Sequence, residues 1–283
     1  MNLTKYLIIV GFTLPLLTGC NSLPFLQAAT PENAIEETRS QDFNFTYDEY
    51  ADVLKTYVDE DGFVDYKGLQ LNRQKLDRFN QSLALVSQEM YDSWNEKEQI
   101  AFWTNAYNSF TLQSIIDQEP LKSSIKDILG VWKGRRFQIA EQSKTLDDIE
   151  HKTLRPNYNE PRIHAVINCA SISCPILRTE PYTGEKLEEQ LEEQTQNWIS
   201  SPHGMQIDRE KNIVSLSSLF DWFGSDWEKD YSVEEGKFTG NNKQRATLNF
   251  ISNYVSDRDR QYLEAGEYEI RYLDYNWNLN IQK

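Results

Sequence analysis

The chain is predicted to be α+β, a helix-rich single domain with a small, mostly antiparallel sheet. Three observations lead there. Helical periodicities outnumber extended runs along the sequence. Most of the extended runs are joined by tight polar returns rather than by crossover helices, which argues against a wound parallel sheet. The 283 residues, 12% of them aromatic and seven of them Trp, supply one large core.

The chain opens with Lys5, an apolar run over 6–17 and then Leu17-Thr18-Gly19-Cys20. One basic residue, about a dozen apolar ones and a small residue before the break describe a secretory signal over 1–19. The pattern resembles a bacterial lipoprotein signal. That resemblance implies lipidation of Cys20, by palmitate or a similar acyl chain, and Asn21 after it implies the periplasmic face of the outer membrane. Residues 20–41, rich in Ser, Pro, Ala, Gln and Glu without periodicity, read as a flexible tether, and 42–283 as the globular body. Its expected membrane partnership is therefore a lipid anchor alone. Residues 1–19 carry one Lys and no acid, so removing them takes the formal charge from −15 to −16. Such an excess argues against nucleic acid and against docking on anionic headgroups, since both require a basic surface.

Within the body, Thr46 with Glu49 caps a helix carrying Tyr50, Val53, Leu54 and Tyr57. It ends at Asp59 to Gly62, a turn whose glycine and acids are misplaced for a calcium loop. An extended piece over 64–71 and a second amphipathic helix over 73–86 follow. Asn95 and Glu98 then form a capping box before a run over 100–116 that is apolar on nearly every face, which predicts a buried central helix. A strand over 136–140, a tight return and a helix capped by Thr145 come next. Later elements are a helix over 185–199, a hairpin around Arg209 to Asn212, short helical residues 217–223, a last helix over 243–255 and a strand over 268–273.

Residues able to do covalent or acid/base chemistry concentrate in RIHAVINCASISCP, Arg162 to Pro175. Residues 162–168 are expected to form a short buried strand ending in a Ser/Cys turn, so that His164, Cys169, Ser171, Ser173 and Cys174 converge at one strand end. Three readings stay open. The two cysteines pair as a disulfide, favoured by an oxidising compartment. Alternatively Cys169 or Cys174 is a nucleophile activated by His164, with Asn105, Glu150, Asn168 or Asp221 orienting the base. Zinc held by His164, Cys169, Cys174 and His151 is the third, with a spacing that matches no common pattern. Neither a metal nor another cofactor is expected. Asn105 and Asn108, one turn apart on the central helix, either clamp neighbouring backbone or serve the site.

FWTNAYN at 102–108, TLDDIEHKTLR at 145–155, PRIHAVINCASISCP at 161–175, SLSSLFDWFGSDW at 215–227 and YLDYNWNLN at 272–280 together resemble the domain-of-unknown-function 547 family. More distantly, the buried helix and the histidine strand are similar to the core of papain-like and transglutaminase-like cysteine hydrolases. In that core the nucleophile begins the central helix, where this sequence offers asparagines and no cysteine. His164 and two cysteines at one strand end, together with the expected compartment, favour a thiol-dependent hydrolase or acyl transferase on envelope peptides or peptidoglycan, with Cys174, Cys169, His164 and Asn105 as catalytic residues. Asn108, Trp103, Ser171, Ser173 and Glu150 would then contact substrate. The alternative is a binding lipoprotein whose loop is shaped by a Cys169–Cys174 bridge.

Overall fold

A computed structural model of the protein describes residues 43–283. The expected signal peptide, Cys20 and the tether lie outside the described residues. Within them the fold is α+β, rich in helix, with one two-stranded and one three-stranded sheet. No helix among the described residues is long and apolar enough to cross a membrane.

The chain winds around α5, Glu96–Ile116, which follows α1 (Asp48–Tyr57), α2 (Tyr66–Leu71), α3 (Gln74–Leu85) and α4 (Gln88–Ser93). The capping box forms as expected: Asn95 Oδ1 accepts from the Glu98 N–H at 3.1 Å, and Glu98 Oε2 accepts from the Asn95 N–H at 2.8 Å. Sixteen of the 21 residues of α5 are buried. A helix apolar on every side needs neighbours on every side, and α2, α3, α6 and α9 pack against it. Phe102, Phe110 and Ile115 are almost wholly buried, each stabilising the fold by roughly 1.5–3 kcal/mol. At the N-terminal end Thr46 does not cap; its hydroxyl donates to Asp48 Oδ2 at 3.1 Å, and α1 starts after Tyr47.

The acidic turn after α1 uses its carboxylate on its own backbone. Asp59 Oδ1 accepts from the N–H groups of Asp61 and Phe63, at 3.1 and 2.8 Å. Gly62 has φ +77, and a Cβ there would lie 2.5 Å from Ile176 Cβ, so both conformation and space require glycine. Most of the extended piece expected over 64–71 is instead the helical turn α2, capped by Asp65 Oδ1 accepting from the Gly68 N–H at 2.8 Å.

After α5 come the hairpin β1 (Phe137–Ile139) and β2 (Gln142–Lys144), then α6 (Leu146–Ile149) capped by Thr145. Helical winding continues through a π turn, Glu150–Leu154, into α7, Arg155–Asn157. The strand expected over 162–168 is replaced at its centre by a helical turn, α8, Ile163–Val166, with extended backbone only from Ile167 onward. The run is apolar because it is buried, and periodicity over so few residues cannot tell a buried turn of helix from a strand.

The remaining elements are α9 (Leu187–Ser200), β3 (Met205–Asp208), β4 (Ile213–Leu216), α10 (Ser218–Phe223), α11 (Glu228–Tyr231), α12 (Asn242–Ile251), α13 (Asp257–Ala265) and β5 (Glu269–Tyr272). The sequence reading missed α13, whose exposed face is almost wholly polar and whose buried anchor is Leu263 alone. β3 and β4 form the expected hairpin, but β5 joins β4 in parallel. Beyond β5 the closing segment runs beside the cysteine turn: the Ile172 N–H donates to Asn278 O at 2.9 Å, and Ser171 bridges Leu279. The last residues of the chain thereby become a wall of the site.

Candidate active site

Two buried asparagines of α5 set the backbone on which the cysteine turn hangs. Asn108 Nδ2 donates to Val166 O at 2.9 Å and its Oδ1 accepts from the Asn168 N–H at 2.7 Å. Asn168 continues the chain of clamps, accepting from the Ala170 N–H at 2.8 Å and donating to Pro175 O at 2.7 Å. These bonds fold 167–175 into a compact turn, with Ala170 at φ +58. One turn earlier Asn105 does the same for another segment, its amide engaging both the C=O and the N–H of Tyr182, at 2.7 and 3.0 Å.

The turn brings the sulfurs of Cys169 and Cys174 to 3.0 Å. No disulfide joins them in this structure, since such a bond is about 2.05 Å long. Cys169 Sγ also lies 3.2 Å from Ser171 Oγ and 3.2 Å from Tyr275 Oη, and the two hydroxyl oxygens lie 3.2 Å from each other. The Cys169 N–H donates to Cys174 Sγ at 3.0 Å. Hydrogen bonding from Cys174, Ser171 and Tyr275 outweighs burial and brings the Cys169 thiol down to about 7. Burial and the neighbouring Cys169 sulfur push Cys174 up. The pair is therefore asymmetric, with Cys169, partly exposed, the more acidic thiol and buried Cys174 the less acidic one.

Cys169 opens into a cleft of about 320 Å³. One side is the helical stretch after Thr145, where Asp147, Glu150 and His151 fall at i, i+3 and i+4 and so share a face. Tyr107 Oη donates to Glu150 Oε2 at 3.2 Å, and His151 Nδ1 lies 3.8 Å from Glu150 Oε1. Burial raises the Glu150 carboxyl to about 7, against the opposing pull of the Tyr107 hydrogen bond and of Arg155. The other side is apolar, made of Ile167, Leu219, Phe223, Trp222, Tyr275 and Trp277.

His164 also lines the cleft, stacked on Phe223 at 4.6 Å between centroids. Its Nε2 lies 2.8 Å from Asp226 Oδ2, and Asp226 also receives Arg155 through Nε at 2.6 Å and Nη2 at 2.8 Å. Burial lowers the His164 pKa although Asp226 opposes it. Despite burial, the hydrogen bonds from His164 and Arg155 hold Asp226 well below the ordinary carboxylate range. An ionised carboxylate only accepts, so neutral His164 carries its proton on Nε2 and leaves Nδ1 bare. Arg155 Nη1 likewise donates to His151 Nδ1 at 2.9 Å, which puts the proton of neutral His151 on Nε2.

Of the residues singled out from sequence, the cleft gathers His151, His164, Cys169, Cys174 and Glu150, with Ser171 touching the Cys169 sulfur. It does not gather the others. Asn105 is spent on Tyr182 and Asn108 on the turn, and Trp103 Nε1 donates to Tyr91 Oη at 2.8 Å. Ser173 Oγ accepts from the Asn276 N–H at 2.9 Å, fastening the closing segment. Asp221, weighed as an orienter, pairs with Lys243 at 3.7 Å. The carboxylate bonded to His164 is that of Asp226, which sequence reasoning missed together with Tyr275 and Tyr107; Asp226 and Tyr275 stand inside quoted blocks, but no spacing links them to the cysteine turn. Because His164 sits on a helical turn and the thiol follows it, the strand placement carried over from papain-like hydrolases does not hold. Among the described residues no three His, Cys, Asp or Glu side chains are grouped to hold a metal ion.

No curated protein and no solved structure matches the chain. Residues 91–199, which hold α5, Glu150, His164 and both cysteines, match the family described as "Protein of unknown function, DUF547".

Proposed function

We propose that this chain is an envelope lipoprotein whose body is a thiol-dependent hydrolase or acyl transferase acting on peptide or amide substrates. Cys169 is the nucleophile, at a peptide or peptidoglycan bond presented on the periplasmic face of the outer membrane. The observation that carries the reading is the surrounding of one sulfur: Cys169 Sγ is hydrogen-bonded to Tyr275, Ser171 and Cys174 at the base of a cleft that also holds Glu150. Thiolate attack joins Sγ to the substrate carbonyl carbon, and the bond from that carbon to its leaving nitrogen or oxygen breaks. Glu150, titrating in the same range as the thiol, takes the Cys169 proton and gives it to the leaving group. The Tyr275 hydroxyl faces the oxyanion that develops beside the sulfur. Water, or a second nucleophile, then attacks the thioester, releases the acyl group and returns a proton to Sγ.

A thiol-directed probe tests this. Iodoacetamide should label Cys169 in the wild type and in Cys174→Ser, and labelling should vanish in Cys169→Ser. Absence of a reactive thiol, with or without reductant, ends the proposal. Membrane retention that is lost in Cys20→Ala, with loss of labelled fatty acid, tests the anchor.

The 3.0 Å approach of the two sulfurs favours a second reading, a non-enzymatic binding or scaffold lipoprotein with a Cys169–Cys174 disulfide. Intact mass under non-reducing conditions separates the two: loss of two protons in protein taken directly from the envelope supports the bridge, and two free thiols oppose it.

A further inference from the structure

The cleft has two unlike sides, and the difference bears on what the thiol accepts. The side formed by Asp147, Glu150 and His151 is polar; the side formed by α10 and the closing segment is aromatic, with Lys126 Nζ over the Trp277 ring at 5.0 Å from its centroid. Tyr275 belongs to both the chemistry and that wall. Its hydroxyl lies 3.2 Å from Cys169 Sγ, while its ring lies 4.9 Å from Trp222 and 4.5 Å from Trp277. Trp222 stacks on Trp277 at 5.8 Å and 14°, and Trp132 meets Trp277 edge-on at 6.0 Å. Three separate stretches of chain thus build one continuous aromatic surface that begins at the sulfur and runs outward.

Trp222 is 45% exposed. An indole left in water at the mouth of a cleft, contiguous with apolar lining, marks a surface for an apolar ligand group.

We propose that the site selects acyl donors by an apolar acyl chain, laid along Trp222 and Trp277 while its carbonyl carbon meets Cys169 Sγ and its carbonyl oxygen takes over the hydrogen bond that the Tyr275 hydroxyl gives that sulfur. This rests on Cys169 being the nucleophile and, among amide substrates, favours a medium-length hydrocarbon acyl group over the acyl part of a peptide. The polar leaving group then lies toward Glu150 and His151, where the proton is supplied. In the acylation step the Sγ–C bond forms, the bond to the leaving atom breaks, and the leaving group departs with the thiol proton.

Thioesters of N-acetylcysteamine that differ only in the acyl group provide the test, with acylation of Cys169 followed by intact mass. Each buried methylene is worth roughly fourfold in binding, so octanoyl transfer should exceed acetyl transfer by at least about 50-fold with only half the chain buried. In Trp222→Ala that ratio should fall by about tenfold. Equal rates for octanoyl and acetyl thioesters in the wild type would overturn the inference. Failure of every thioester to acylate Cys169 would overturn the nucleophile reading instead. The wall is then judged alone by titrating octanoyl-N-acetylcysteamine into Cys169→Ser and following tryptophan fluorescence: saturable quenching by the octanoyl and not the acetyl compound retains the apolar site, and no quenching removes it.

Discussion

Asp226 Oδ2 and His164 Nε2 are 2.8 Å apart across 62 residues of sequence, and the carboxylate they share with Arg155 ties α7, α8 and the turn after α10 into one body. That single carboxylate fixes both the tautomer of His164 and the direction of Arg155, which in turn holds His151.

Replacing Asp226 with Asn should therefore destabilise the fold by about 1–3 kcal/mol, because Arg155 loses its bidentate partner in a partly buried site. The sign with pH follows from the depressed folded pKa of Asp226. Its contribution is present above the ordinary value of 3.8 and is lost as the pH falls below it. Urea midpoints of wild type and Asp226→Asn should differ at pH 7 and converge in acid; a difference that does not change with pH would contradict the pairing.

Much of this architecture was legible in the sequence and the centre of the site was only partly so, for physical reasons. The capping box at Asn95, the Thr145 cap and the hairpin between Ile207 and Ile213 are local, so the residues that dictate them lie within a few positions of one another. His164, Glu150 and the two cysteines were found as reactive types in one stretch or next to it. Asp226 and Tyr275 reach the site through tertiary packing, 62 and 106 residues from their partners, and no periodicity encodes that. The four-residue turn α8 has the sequence of a strand because every residue in it is buried, which removes the alternation that tells the two apart.

Cys169 should react as a thiolate about two pH units earlier than an ordinary cysteine of this kind, since its neighbours bring it from 9.0 to about 7. Alkylation by iodoacetamide, measured from pH 5 to 10, should rise through about pH 7 in the wild type. Tyr275→Phe removes one of the donors, so its midpoint should move upward. An unchanged midpoint would mean that the tyrosine hydroxyl does not stabilise the thiolate.

Glu150 predicts a stability effect of opposite slope to that of Asp226. Its folded pKa of about 7 is raised above the ordinary 4.5, so the folded state binds the proton more tightly than the unfolded chain. Stability is then full below 4.5 and declines as the pH rises through about 7, by about 3 kcal/mol at most. Glu150→Gln keeps a hydrogen-bond partner for Tyr107 without the charge. It should match the wild type in urea unfolding at pH 4.5 and exceed it at pH 8 by up to about 3 kcal/mol, while losing acyl transfer. A variant less stable than wild type at pH 8 would show that the buried carboxylate is not a liability.

The two asparagines of α5 separate support of the fold from support of the site. Asn105→Ala and Asn108→Ala each leave a buried backbone N–H and C=O without partners, so each should cost about 2 kcal/mol or more in urea unfolding. Their effects on the thiol should differ. Asn108 holds the N–H of Asn168, the residue directly before Cys169, whereas Asn105 holds Tyr182, which does not touch either sulfur. Slackening the first clamp lets the cysteine turn open and Cys169 drift from Tyr275 and Ser171, so the alkylation midpoint of Asn108→Ala should rise above about 7 while that of Asn105→Ala stays in place. If both variants shift alike, the turn is held by the packing of the domain as a whole and not by the Asn108 amide.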